Sequence, residues 1–377
     1  MSLGNLLAAV LCRSAARRPQ SRRLLVEALE DRCCLSSVSV FATGFNNPRG
    51  LTFGPDGNLY VAEGGSGGMD TTSDCVQVPG LVGPYSGGYT SRISRVNPTV
   101  PDPTTVHQVI PVARYLPSSQ TQPMPPPDGP TLVSGVADVK FIGDTLYGIE
   151  AGAGCSHGLE GTANTIFRVN ADGTTTTVAD LSAFQQSHPV VNPELDDFEP
   201  DGTWYSMVAV HGDLYAVEPN HGEVDRIDPL TGAISRVVDV SATQDHIVPT
   251  AIAYKGNFFL GNLGTFPVTP GTQTVFKLTP SGQLKAWATG LTTILGIAFD
   301  NRDRMYVLET SNLAGAPAPG HGDIVRIDPS GAQTTIVSGL TFPTGMTMGP
   351  DGDLWVSNQG FGPTIPGFGQ ILRIDPN

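Results

Sequence analysis

Positive charge is scarce in this chain of 377 residues: 21 Lys and Arg stand against 35 Asp and Glu, a formal net charge of -14. A surface this acidic repels a phosphate backbone, which argues against nucleic-acid binding and leaves cations or basic groups as the compatible partners. No apolar run approaches the roughly 20 residues that a membrane-spanning helix needs, so no transmembrane segment is expected. Cysteine is nearly absent beyond residue 34, where only Cys75 and Cys155 remain of five. Two thiols alone make a poor zinc site. The metalloprotease spacing His-Glu-x-x-His does not occur, and no long amphipathic helical pattern appears after residue 40.

What the chain has is a repeat. Gly50-Leu-Thr-Phe-Gly-Pro-Asp-Gly-Asn-Leu-Tyr-Val-Ala-Glu63 near the start is echoed by Gly345-Met-Thr-Met-Gly-Pro-Asp-Gly-Asp-Leu-Trp-Val-Ser-Asn358 near the end. Six copies align on a short strand closing in an acid or amide: Glu63, Glu150, Glu218, Asn262, Glu309 and Asn358. An apolar stretch precedes each, and a strand with one basic residue follows: Arg95, Arg168, Arg226, Lys277, Arg326 and Arg373. Turns such as Asp328-Pro-Ser-Gly331 lead to a fourth strand rich in Thr and Val. A unit that cannot bury both faces must stack on its neighbours. Four short strands in six units therefore predict an all-β, six-bladed β-propeller. The orphan strand at 38–42 and Thr43-Gly44-Phe45 match the fourth-strand phrase Thr335-Ile-Val-Ser-Gly-Leu340. The N-terminal strand is thus expected to complete the last blade and close the ring, removing an open sheet edge.

The expected organisation is a leader over 1–37 and a propeller over 38–377. The leader clusters Arg13, Arg17, Arg18, Arg22 and Arg23 beside a short apolar run, and is a poor match to a standard secretory signal. Its phrase Arg23-Leu-Leu-Val-Glu-Ala-Leu-Glu-Asp-Arg-Cys-Cys-Leu-Ser36 resembles the Leu-Glu-Asp-Arg-type leader of large bacterial export and surface proteins. That resemblance implies a secreted, periplasmic or cell-surface location. Cys75 and Cys155 fall in equivalent loops of the first two copies, which neighbouring blades bring side by side; a disulfide between them is expected.

Nearly all long connections (64–90, 113–134, 151–164, 181–205, 263–273, 310–323 and 359–370) belong to one face, and elaborated loops on a rigid frame are where function concentrates. The six strand-two ends are expected to ring the mouth of the central channel there, with Arg49 beside them. Such a ring can hold a divalent cation such as calcium or magnesium, with Glu150, Glu218 and Glu309 as candidate ligands. It can equally serve to accept hydrogen bonds from loop amides. His157, His221 and His321 follow ring glutamates in the same loops. They are the candidate general bases or metal ligands, against a plain role in loop hydrogen bonding. Arg49 can neutralise the ring or bind an anion. The run Asp196, Asp197, Glu199 and Asp201 reads as a second cation site or a solvated loop.

The phrases of residues 38–377, with Gly264-Thr-Phe-Pro-Val-Thr-Pro-Gly271 and Ala288-Thr-Gly-Leu-Thr-Thr-Ile-Leu-Gly-Ile-Ala-Phe299, resemble the ScyD/ScyE family of NHL-like propellers. The resemblance implies a secreted or periplasmic six-bladed propeller and no particular reaction. By fold the chain is also similar to gluconolactonase-type propellers, which resemblance implies a channel metal held partly from strand-one starts in phrases like Pro-Asn-Gly. Here those positions read Pro48-Arg-Gly, Pro249-Thr-Ala and Pro343-Thr-Gly. Two functions are carried forward. One is a binding protein, expected to be monomeric, for a small molecule, glycan or protein. The other is a metal-dependent hydrolase or lyase at the channel mouth.

Overall fold

Four antiparallel strands recur six times around one axis in the computed structural model, which describes residues 36–80, 82–98, 108–121, 132–279, 282–361 and 365–376. Blade 1 comprises Pro48–Phe53, Leu59–Glu63, Tyr85–Val96 and Val109–Thr121, with the two-residue strand Val133–Ser134 on its outer edge. Blade 2 runs Val136–Ile142, Thr145–Glu150, Thr165–Val169, Thr175–Asp180; blade 3, Ser206–Val210, Asp213–Glu218, Glu223–Ile227, Ile234–Asp239. Blades 4 and 5 are Pro249–Tyr254, Phe258–Asn262, Gln273–Leu278, Leu284–Leu291 and Ile294–Phe299, Met305–Glu309, Gly322–Ile327, Gln333–Leu340. Blade 6 takes Gly345–Met348, Leu354–Asn358 and Gly369–Asp375 from the C-terminal end, and Ser37–Phe45 from the N-terminal end.

The expected closure is present. Ser37–Phe45 pairs antiparallel with Gly369–Asp375, from Ser37 opposite Asp375 to Phe45 opposite Gly369. Side chains follow the ladder. Ala42 and Phe45 are fully buried in a cluster with Leu51, Leu59, Val61, Trp355 and Ile371, which joins blade 6 to blade 1. The Phe41 ring meets Trp355 edge-on at 4.6 Å, and Phe53 of blade 1 meets the same indole at 5.4 Å. Such aromatic pairs add to their area burial. The five remaining clusters each span another junction between neighbouring blades. Strand two is buried in every blade because it has a neighbour on both faces.

The basic residue of strand three has a fixed place. It lies opposite the strand-two aromatic in all six sheets, as in Tyr60 with Arg95 and Trp355 with Arg373. On the side of the tight turns, acids of the turn between strands one and two complete the pairs of blades 1, 5 and 6. Asp56 accepts from the Tyr60 hydroxyl at 2.9 Å and Asp300 from Tyr306 at 3.2 Å, while Arg373 contacts Asp351 and Asp353. The repeat's aromatic, basic and turn residues are one interlocked unit, which is why they recur together.

Two stretches read as loop are structured. Residues 113–121 continue the last strand of blade 1, whose thirteen residues hold Pro117 and two serines. The 181–205 connection contains the short helix Leu181–Ser187, capped by Asp180 accepting from the Ala183 amide. For residues 113–121 the long third strand of the same blade, Tyr85–Val96, supplies the pairing that local propensity does not reveal.

Removing residues 36–45 is expected to expose the edge of Gly369–Asp375 and make the chain aggregate on expression. The milder Phe45→Ala is expected to cost about 3–5 kcal/mol, as truncation of a buried aromatic does. Urea unfolding checks this; an unchanged midpoint would overturn the closing role of the strand.

Candidate functional site

A belt of inter-blade hydrogen bonds surrounds the channel at the strand-one starts. Ser206 donates to Thr250 O, Thr250 to Ile294 O and Thr344 to Pro48 O, while Asp138 accepts from the Met207 amide. Thr250 and Thr344 follow Pro249 and Pro343 at the strand-one starts, and their hydroxyls stitch blades together. The Tyr205 hydroxyl donates to Thr344 O at 2.7 Å. Since blades 3 and 6 are opposite, this side chain bridges the channel. Arg49 lies over the Tyr205 ring at 5.8 Å and donates to Val133 O. Among the described residues it forms no ion pair with the ring acids. A cation over the plug opposes a second cation beside it.

The six strand-two ends turn into their own blades. Glu63 accepts from the Asn46 amide at 2.6 Å and is paired with Arg92 at 2.7 Å. Glu218 accepts from the Thr203 and His221 amides at 2.8 and 2.5 Å. Glu309 accepts from the Thr292 amide and Asn358 from the Thr341 amide, at 2.7 and 2.9 Å. Asn262 donates to Ile247 O at 3.0 Å. In these five blades the side chain holds the loop that enters strand one of the same sheet. Glu150 differs: among the described residues it accepts only from the two amides that follow it, Ala151 and Gly152. All six side chains are buried. The acceptors are therefore engaged blade by blade rather than converging on the channel. Among the described residues no group of three or more His, Cys, Asp or Glu is placed to hold a metal ion.

Polar groups do converge under the loops of blades 1 to 3, around Glu199. Its Oε1 accepts from the Tyr85 hydroxyl at 3.1 Å, and its Oε2 lies 3.5 Å from His157 Nε2. His157 sits in the 3-10 turn Cys155–His157, stacked on Tyr85 at 4.9 Å. Its Nε2 faces Gly202 O at 3.2 Å, so that nitrogen carries the proton and Nδ1 accepts from Ser119 at 2.8 Å. His221 Nε2 donates to Glu199 O at 2.9 Å. Asn220 holds the Glu199 amide and Asp197 O, and Asp201 accepts from the amide and hydroxyl of Ser156. The structure thus brings His157 and His221 together on one acid. It leaves His321 apart in blade 5, where Nδ1 contacts Asn312 at 3.3 Å. Burial, with the Glu218 charge nearby, pushes the Glu199 carboxyl well above the usual range. Burial also lowers His157. A buried acid and a buried imidazole with both nitrogens engaged form a loop clamp, with no free base presented to solvent.

Sequence reading named the histidines but missed Tyr85, Ser119 and Tyr205, and took Glu199 for part of a solvated or cation-binding run. The available signal was the apolar setting of Glu199, between Phe198 and Pro200. The clamp is covalently reinforced by the expected Cys75–Cys155 disulfide, with Cα atoms 6.2 Å apart. The spelling Gly64-Gly-Ser-Gly-Gly68 has nucleophile-elbow spacing, yet no helix follows it. The Ser66 amide donates to Thr90 within a loop.

The chain matches no protein-family model and no curated protein. Among solved structures it is similar to an aldose sugar dehydrogenase from Streptomyces coelicolor in its PQQ-bound form: 14% identity, 90% of this chain and 98% of the other covered, TM-score 0.54. A gluconolactonase from Xanthomonas campestris matches at 10% identity over 90% and 89%, with TM-score 0.52. A putative glucose dehydrogenase from Thermus thermophilus matches at 14% over 90% and 99%, with TM-score 0.51. At these identities the likeness is one of fold, the β-propeller.

Two outcomes are expected. Burial raises Glu150 and Glu223 to about 8 and Asp225 and Glu309 to about 7. The folded chain then binds more protons than the unfolded one from about pH 4.5 to about 8, so stability falls as pH rises through that window. His157 opposes this only below its ordinary value near 6.5. Tm should therefore decline from about pH 6.5 to about 8, and Asp225→Asn, which removes a buried carboxylate with neither oxygen partnered, should flatten the decline. A Tm that rises over this range would overturn the assignment. Separately, Cys75→Ser should destabilise by about 2–4 kcal/mol, read by urea unfolding with and without reductant; reductant should leave the variant unmoved.

Proposed function

We propose that the chain is an extracytoplasmic binding protein whose loop-rich face holds a small molecule, a glycan or a protein ligand. The observation that carries this reading is the engagement of the strand-two ends. Five of the six tie down an incoming loop, so the acids available for catalysis or metal binding are already hydrogen-bonded in place. Together with the Glu199 clamp and the disulfide, they make a face that loses little conformational freedom on binding, which favours affinity. The sugar dehydrogenases and gluconolactonase of like fold support a propeller suited to small ligands. The resemblance to ScyD/ScyE propellers supports the same role.

In this reading the export leader ends before the closing strand Ser37–Phe45, one residue earlier than the expected boundary at 37, and the remainder is the working, monomeric domain. The Cys75–Cys155 bridge supports an oxidising compartment, and no helix among the described residues is long and apolar enough to cross a membrane.

The test is thermal unfolding of the purified chain with EDTA, then with added calcium or magnesium. The expected result is an unchanged Tm in all three. A chelator-induced loss of stability that Glu150→Gln and Glu218→Gln both abolish would overturn the binding reading in favour of a metal-dependent hydrolase or lyase.

A further inference from the structure

Blade 2 breaks the repeat in two linked places. Its ring acid, Glu150, is the one that does not hold an incoming loop: both amide bonds, at 3.1 Å, go to Oε1. Among the described residues no hydrogen bond reaches Oε2, although the residue is only 2% exposed. The middle of strand two is Gly148, where the other blades carry Val61, Ala216, Leu260, Val307 and Val356. The Phe167 ring occupies the space; a Cβ on Gly148 would stand 2.4 Å from it.

These departures open onto a cavity of about 510 Å³ between the last strand of blade 1 and the outer strands of blade 2. Its size falls in the range of roughly 300–1,000 Å³ typical of small-ligand sites. Phe167 and Leu116 provide apolar wall, and Glu150 lies in the lining with Thr165, Thr175 and Thr177. Alternate residues of the two paired strands, 165 and 167 with 175 and 177, share this face. Among the described residues the three threonine hydroxyls make no hydrogen bond. The site therefore offers three unengaged hydroxyls and one unengaged carboxyl oxygen beside an aromatic ring. The carboxyl is held protonated to about pH 8 by burial, so it presents both a donor and an acceptor without charge.

We propose that this inter-blade cavity is a saccharide subsite, in which a neutral sugar ring seats its C–H surface on Phe167 and Leu116 and exchanges hydrogen bonds with Glu150 and the threonine hydroxyls. The inference rests on the binding-protein reading and gives that reading a location and a ligand class. A cation is the poorer occupant, because the one buried acid is neutral near pH 7 and Asp180, the other carboxylate of the lining, already caps the helix Leu181–Ser187.

The experiment is saturation-transfer NMR on the full chain with glucose, galactose, N-acetylglucosamine, maltose and cellobiose, repeated with Thr177→Trp and Glu150→Leu. Thr177 is exposed at the rim, so tryptophan there blocks the entrance without entering the core. At least one sugar should show transfer at pH 6.5. Thr177→Trp should weaken its binding by about tenfold or more, the scale for loss of a buried polar and apolar contact set. Binding should also decline above about pH 8 in the native chain. Glu150→Leu, if folded by circular dichroism, should bind as weakly as Thr177→Trp. Sugar binding that Thr177→Trp leaves intact would overturn the subsite while preserving a binding role elsewhere on the face. Absence of transfer from every sugar, or a calcium-induced Tm increase that Glu150→Leu removes, would overturn the saccharide assignment.

Discussion

The pairing of Ser37–Phe45 with Gly369–Asp375 holds the rest in place. A propeller has no central core; its apolar surface is divided among the junctions between blades, and here each junction has its own cluster. Without the closing strand blade 6 keeps three strands, and Phe45 leaves the cluster under Leu51 and Trp355. The inner belt depends on the same closure. Thr344 reaches Pro48 O only if blade 6 stands beside blade 1, and Tyr205 reaches Thr344 O only if the ring has the radius that six blades impose. Long-range strand pairing therefore sets the geometry of the channel plug and of every loop above it.

Upon that ring the acid or amide at the end of strand two has a mechanical task. Each blade must accept a chain arriving from its neighbour, and the incoming loop carries backbone groups that need partners where water is excluded. A side chain at the end of strand two is close enough to provide one. A carboxylate doing this is desolvated, and Glu63 and Glu309 show the consequence in carboxyls raised by burial. The cost is bearable because Asn262 and Asn358 make equivalent bonds without charge, and because Arg92 compensates Glu63. Glu150 alone has neither cation nor loop, so its environment is the one in the series that a structural task leaves unexplained.

Much of the architecture was legible in the chain because it is written six times. The strand phrases, the tight turns and the complementary ends are local patterns, and repetition turns each into a register. The disulfide followed from the same equivalence, since loops at one repeat position in adjacent blades must be neighbours. The site was less legible. The residues of the ring were named, but their direction was not, because a side chain at a strand end can turn to the axis or into the blade without altering the sequence pattern. His157, His221 and His321 lie in equivalent loops, yet only the first two meet Glu199. Which loop folds over which depends on the 181–205 connection, whose length has no counterpart in blade 5. Residues 113–121 looked like a loop because Pro117 and the serines are poor strand formers; pairing with 85–92 decides otherwise. The leader, His107 and the cysteines at 12, 33 and 34 lie outside the described residues.

The acidic composition also takes a different meaning once burial is known. The formal charge of -14 counts every carboxylate as ionised. Burial raises Glu150 and Glu223 to about 8, so both are largely protonated at neutral pH, and the folded chain is less negative than its composition. Glu150 then contributes little to the field at the channel mouth, whereas the guanidinium of Arg49 contributes fully. An acidic sequence thus carries a local cation over its channel plug. What Glu150 presents to its surroundings near neutral pH is hydrogen bonding rather than negative charge.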